Sequence, residues 1–128
     1  MPRSLLLLIA VVFVASWAWR GQVARSDGQD LAQLARPGDI RMISSETCPW
    51  CLAARRWFKD NGVPFSECLI ERDARCAADY AALGAVGTPT LLVRGQRVIG
   101  FDRARILQVL REAPARPAAQ RAALNGSA

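Results

Sequence analysis

Two cysteines three positions apart, in the turn Cys48-Pro49-Trp50-Cys51, join two stretches of opposite character. Ahead of them Ile40-Arg41-Met42-Ile43-Ser44 reads as a short strand, and behind them residues 52–61 lack proline and read as a helix that stops at Gly62. Pro49 suits the first helical turn, where its missing N–H costs nothing. Cys48 then lies at the helix N-terminus, whose partial positive charge favours a thiolate. A free thiol of pKa about 8.5 falls to about 3.5–7.5 in such a setting. Cys51, one turn further in, is expected to be more buried and to act as the resolving thiol. Trp50, Ala53, Ala54, Trp57 and Phe58 recur at helical spacing and are expected to face the core.

The C-x-x-C spacing admits a redox dithiol or half of a zinc site. The chain has no histidine, so zinc would need Cys68 and Cys76 as its other ligands. Those two have seven residues between them and form no second C-x-x-C, so no metal is expected. A merely structural bridge across so small a loop would restrain little of the unfolded chain. Redox exchange is the reading that remains, with Cys48 attacking a disulfide and Cys51 or a small thiol resolving the product.

From Asp39 the chain alternates strand and helix. Residues 64–70 read as a second strand, 74–83 as a second helix closed by Gly84, and 90–93 as a buried strand. Arg94-Gly95-Gln96 turns into a strand over 97–100, and Asp102 caps a last helix through about Glu112. The order is β-α-β-α-β-β-α, with the first two strands parallel across a helical crossover and the last two antiparallel.

The domain organisation expected is an apolar segment over 1–20, a linker over 21–38, a catalytic domain over 39–112 and a disordered tail over 113–128. Residues 4–19 carry no charge and lie between Arg3 and Arg20. Sixteen residues is short against the roughly 17–25 of a membrane span, but Trp17 and Trp19 supply an interfacial belt. An uncleaved single-span membrane anchor is the leading reading. A signal peptide cut after Val14-Ala15-Ser16, giving a secreted domain, and a buried helix are the alternatives. Basic residues on both flanks leave the positive-inside count undecided; an N-terminus held in the cytoplasm would put the domain in the periplasm or another extracytoplasmic space. The net charge of +6 is spread evenly, with four basic against two acidic residues in 1–38, eleven against nine in 39–112 and two against none in 113–128. That distribution excludes a dedicated nucleic-acid binder, which would gather its basic residues in one place.

Cys48-Pro49-Trp50-Cys51 together with Gly87-Thr88-Pro89-Thr90 and Gly100-Phe101-Asp102 resembles a glutaredoxin of the thioredoxin fold over about residues 39–112. The resemblance implies a mixed four-stranded sheet, a monomer, and glutathione as co-substrate in exchange with disulfide or glutathionylated substrates. It makes Pro89 the family's cis-proline. It pairs the Thr88 backbone with the cysteine part of glutathione and sets Gly100, Phe101 and Asp102 at its γ-glutamyl end, with Pro49 and Trp50 lining the same site. The chain departs from the family at Ser45, where many members carry a lysine, and at Glu46, whose carboxylate opposes thiolate formation. Arg41, Arg55 and Arg72 are candidate replacements for that cation. Thr88 stands where valine is usual. Two other functions stay in view: an extracytoplasmic disulfide oxidase or isomerase independent of glutathione, and a glutathione-assisted iron–sulfur carrier, against which the proline after Cys48 argues. Cys68 and Cys76 lie outside the shared motif. They read as small hydrophobes, as a second disulfide clipping strand two to helix two, or as a regulatory dithiol; of the three pairings four cysteines allow, 48–51 with 68–76 is preferred.

Overall fold

The computed structural model describes residues 2–113, so the tail expected over 113–128 lies, Ala113 apart, outside the described residues. Eight elements follow in order: α1 (Arg3–Leu34), β1 (Ile40–Ser44), α2 (Pro49–Asp60), β2 (Ser66–Leu69), α3 (Ala74–Ala82), β3 (Thr90–Val93), β4 (Gln96–Ile99) and α4 (Arg103–Glu112). From β1 onward every element falls within two residues of its expected bounds.

The sheet is mixed, in the order β2-β1-β3-β4. β1 runs parallel to β2, with Ile43 opposite Cys68, and antiparallel to β3, with Met42 opposite Leu91. β3 and β4 close as a hairpin with Leu91 opposite Val98. Met42 and Ile43 are neighbours in β1 and therefore point to opposite faces, yet both are fully buried. The central strand is thus covered on both sides. In α2 the buried stripe is Cys51, Ala54 and Phe58. Phe58 meets Phe65 and Phe101 at ring separations of 5.0 and 5.4 Å, and Trp57 meets Phe101 at 5.4 Å. These edge-on and tilted contacts, each worth about 0.5–1.5 kcal/mol beyond burial, fasten α2 to the start of α4.

The linker expected over 21–38 is corrected. α1 continues unbroken to Leu34, and its last part belongs to the domain. Leu31 and Ala35 join the core cluster with Ile40, Phe58, Val63 and Leu110. Gly28 is buried beside Asn61 so closely that a Cβ there would stand 2.0 Å from Asn61 Oδ1. Asp27 pairs with Arg103 and Asp30 with Arg111. Arg94 donates to the carbonyls of Leu34, Leu110 and Ala113 while paired with the buried Asp39, so one guanidinium serves the C-terminal ends of both α1 and α4. Tertiary contacts overrule the weak helix propensity of this polar stretch.

The first part of α1 is bare by contrast: Leu7, Phe13, Trp17 and Trp19 are 67% to 77% exposed. α1 is the one helix among the described residues long and apolar enough to cross a membrane; a signal sequence meets the same criteria.

Candidate active site

The path of β1 into α2 sets the geometry. β1 delivers the chain to the turn 45–47, and Cys48 takes the N-cap of α2 in extended conformation with Pro49 in the first turn. The Cys51 N–H, one of the free donors of a helix start, points at Cys48 Sγ at 3.0 Å. The two cysteines are joined as a disulfide. Cys51 is fully buried and Cys48 half-buried, so an incoming sulfur can reach only Cys48. Trp50 and Ala53, expected in the core, are exposed instead, Trp50 at 73%. The stripe Cys51–Ala54–Phe58 takes the inward face, which leaves Trp50 on the exposed side of the helix.

Across from Cys48 runs the segment before β3. The Thr88–Pro89 peptide is cis, Pro89 is buried, and the Thr88 carbonyl oxygen stands 3.4 Å from Cys48 Sγ. Thr90 Oγ1 donates to the Gly87 carbonyl at 2.6 Å and shapes the approach to this turn. The Gly100 N–H donates to the Pro89 carbonyl at 2.8 Å and brings the β4–α4 corner to the same end of the sheet. Gly100 has φ of 75°, a conformation that disfavours side chains. Asp102 caps α4, accepting the Arg105 N–H at 3.1 Å. The Phe101 ring is engaged with Trp57 and Phe58.

Glu71, not singled out from the sequence, grips the turn before Cys48. Ser45 Oγ donates to Glu71, and the Glu46 N–H donates to Glu71 Oε2 at 3.1 Å. The Ser45 hydroxyl is the first cause that holds the Glu71 carboxyl below the usual carboxylate range. Arg72 pairs with Glu46 and offsets the charge that would oppose a thiolate at Cys48. The run Glu71-Arg72-Asp73 was the available signal, but only the fold brings it against residues 45 and 46. The Cys68–Cys76 disulfide closes the base of this loop, and Asp73 caps α3 within it by accepting the Arg75 and Cys76 N–H groups.

The three candidate cations are all engaged. Arg41 pairs with Asp79 at 2.8 Å, with its Nη2 3.5 Å from Cys68 Sγ. Arg55 holds Glu67 through two contacts of 2.7 and 3.0 Å, and Arg72 holds Glu46. The hydrogen bond to Glu67 is the main cause that raises the Arg55 pKa. Glu67 also accepts from Ser44 Oγ at 2.8 Å.

Comparison with known proteins bears on the fold. Residues 40–98 match the family model described as Glutaredoxin. An uncharacterized glutaredoxin-like 8.6 kDa protein in the rubredoxin operon of Clostridium pasteurianum is 26% identical over 68 residues, 52% of this chain and 91% of that protein. A mutant of the thioredoxin-like protein BC3987 superposes with a TM-score of 0.51 at 26% identity, over 57% of this chain and 95% of its own. The glutaredoxin of Methanosarcina mazei Go1 shares the fold, with a TM-score of 0.50 at 22% identity over 59% of this chain and 81% of its own.

Proposed function

We propose that this chain, whose residues 40–98 match the family model described as Glutaredoxin, is a membrane-anchored thiol–disulfide oxidoreductase that works with glutathione. Its domain, over 39–112, faces an extracytoplasmic space. Cys48 is the nucleophile and Cys51 the resolving thiol. The observation that carries this reading is the half-exposed Cys48 Sγ held at the start of α2 by the Cys51 N–H, opposite the cis Thr88–Pro89 turn. In the reduced pair, the Cys48 thiolate attacks a substrate disulfide; one substrate sulfur leaves as a thiol after taking a proton. Cys51 then attacks Cys48 Sγ, releases the second substrate thiol and leaves the pair oxidised. Two glutathione molecules return the pair to dithiol and become glutathione disulfide. Thr88 and Pro89 offer backbone to the bound thiol, and Gly100, Phe101 and Asp102 offer the start of α4, whose N–H groups suit a carboxylate.

The test is turnover of a glutathionylated peptide and of a protein disulfide. Cys48→Ser brings both to the uncatalysed rate. Cys51→Ser keeps the first and stalls the second as a mixed disulfide. Full activity in Cys48→Ser would sink the assignment.

One set of contacts favours the second reading, an oxidase or isomerase without glutathione. Arg41, Arg55 and Arg72 are already paired, so each would have to break an ion pair to meet the glycine carboxylate of glutathione. The reduction potential separates the two: about −200 to −230 mV for glutaredoxin-like chemistry and about −120 mV for a dedicated oxidant.

A further inference from the structure

Building on the anchor and dithiol readings above, we propose that α1 is a rigid strut that turns the Cys48 end of the domain towards the bilayer, and that the partner is a membrane-held protein presenting a disulfide close to the lipid surface. The first support is the absence of slack. α1 is one helix from Arg3 to Leu34, and its contacts with the domain begin by Asp27. Seven helical residues, 21–27, carry the chain from Arg20 to that point, a rise of about 10 Å. A disordered tether would let the domain sample many heights and tilts; a continuous helix set into the core fixes both.

The second support is the order of contacts along α1. Asp27 meets Arg103, the first residue of α4; Asp30 meets Arg111 near its end; and the Leu34 carbonyl shares Arg94 with Leu110 and Ala113. α1 and α4 therefore run in the same sense, and the N-terminal continuation of α1 leaves the domain from the end where α4 starts. That is the catalytic end, because Gly100, just before α4, is bonded to Pro89 beside the Thr88 carbonyl that faces Cys48. The large apolar side chains exposed there include Trp50, Val86 and Ile99, at 73%, 54% and 52%, and Leu52. A tryptophan with its ring in the open is at home at a membrane–water boundary.

A dithiol fixed at one height gains effective concentration for a disulfide held at the matching height and gains none for a freely diffusing one. The exchange is complete within the pair: two electrons pass from Cys48 and Cys51 to the partner's disulfide, which becomes two thiols while the pair becomes a disulfide. A single turnover needs no other reactant.

The experiment uses the full chain in phosphatidylcholine vesicles, reduced beforehand, and follows single-turnover reduction of one disulfide peptide in three forms: free, lipid-anchored through a spacer of about 10 Å, and lipid-anchored through one of about 40 Å. The expected result is a preference of about tenfold or more for the short spacer over the long one. An eight-residue Gly/Ser insertion between Gln22 and Val23, ahead of the docked stripe, should abolish that preference and leave the free-peptide rate unchanged. The unchanged free rate shows that the inserted chain still folds. A native protein that treats both spacers alike, or an insertion that leaves the preference intact, overturns the strut. No exchange even with the free peptide overturns the oxidoreductase reading and the strut with it.

Discussion

Ser45 and Glu71 show how one exposed hydrogen bond conditions the turn ahead of a reactive sulfur. The Ser45 hydroxyl stabilises the ionised Glu71, so the folded carboxyl titrates below its unfolded value of 4.5. A carboxyl depressed on folding adds stability that is fully present above the unfolded pKa and is lost as pH falls through the folded one. Glu71→Gln should therefore lower stability above about pH 5 and converge with the native protein in more acid solution. Urea denaturation midpoints at a series of pH values check this, and a gap that widens on acidification would contradict it. At the same scale, Trp50 marks where pattern reading falls short. Trp50, Ala53 and Trp57 share one helical spacing, and Cys51, Ala54 and Phe58 share the adjacent one. Periodicity alone does not choose between neighbouring stripes. The choice shows only in the packing, where Cys51, Ala54 and Phe58 are buried and Trp50 is not.

Among elements, the strands and helices from β1 onward were legible because they are short, strongly patterned and punctuated by Gly62, Gly84 and the Arg94-Gly95 turn. The second half of α1 was not. Its buried residues are Gly28 and Leu31, followed by the cap residue Ala35, and they are set among Ser26, Asp27, Gln29 and Asp30, which read as solvated chain. The packing there depends on glycine for closeness, not for conformational freedom. In Gly28→Ala the new Cβ displaces Asn61, whose Nδ2 donates to the Trp57 carbonyl at 2.8 Å. The substitution should cost about 1–3 kcal/mol by overpacking, less the helix propensity alanine brings. Adding Asn61→Ala should make the double variant more stable than the two single losses predict, by about 1 kcal/mol. Strict additivity in thermal or chemical melts would show that the two residues do not meet.

For the whole molecule, the two disulfides divide the work. Cys48–Cys51 spans one helical turn and can open without unfolding anything, whereas Cys68–Cys76 ties β2 to α3 across the loop that holds residues 45 and 46. Closing a loop of that size stabilises by about 2–3 kcal/mol in the chain-entropy account. A Cys68→Ser, Cys76→Ser double variant should lose about that much in melts run without reductant. If native and variant proteins melt alike without reductant, the second bridge is not closed in solution.

The fastenings of α1 all lie at Asp27 and beyond, through Gly28, Asp30, Leu31, Leu34 and Ala35. The apolar run ends well before them. A cut after Ser16 would therefore strip off most of that run and spare these contacts between the helix and the domain. One gene product could then exist as a bound and a shed form with the same catalytic fold, and proteolysis would decide where the dithiol operates rather than whether it does.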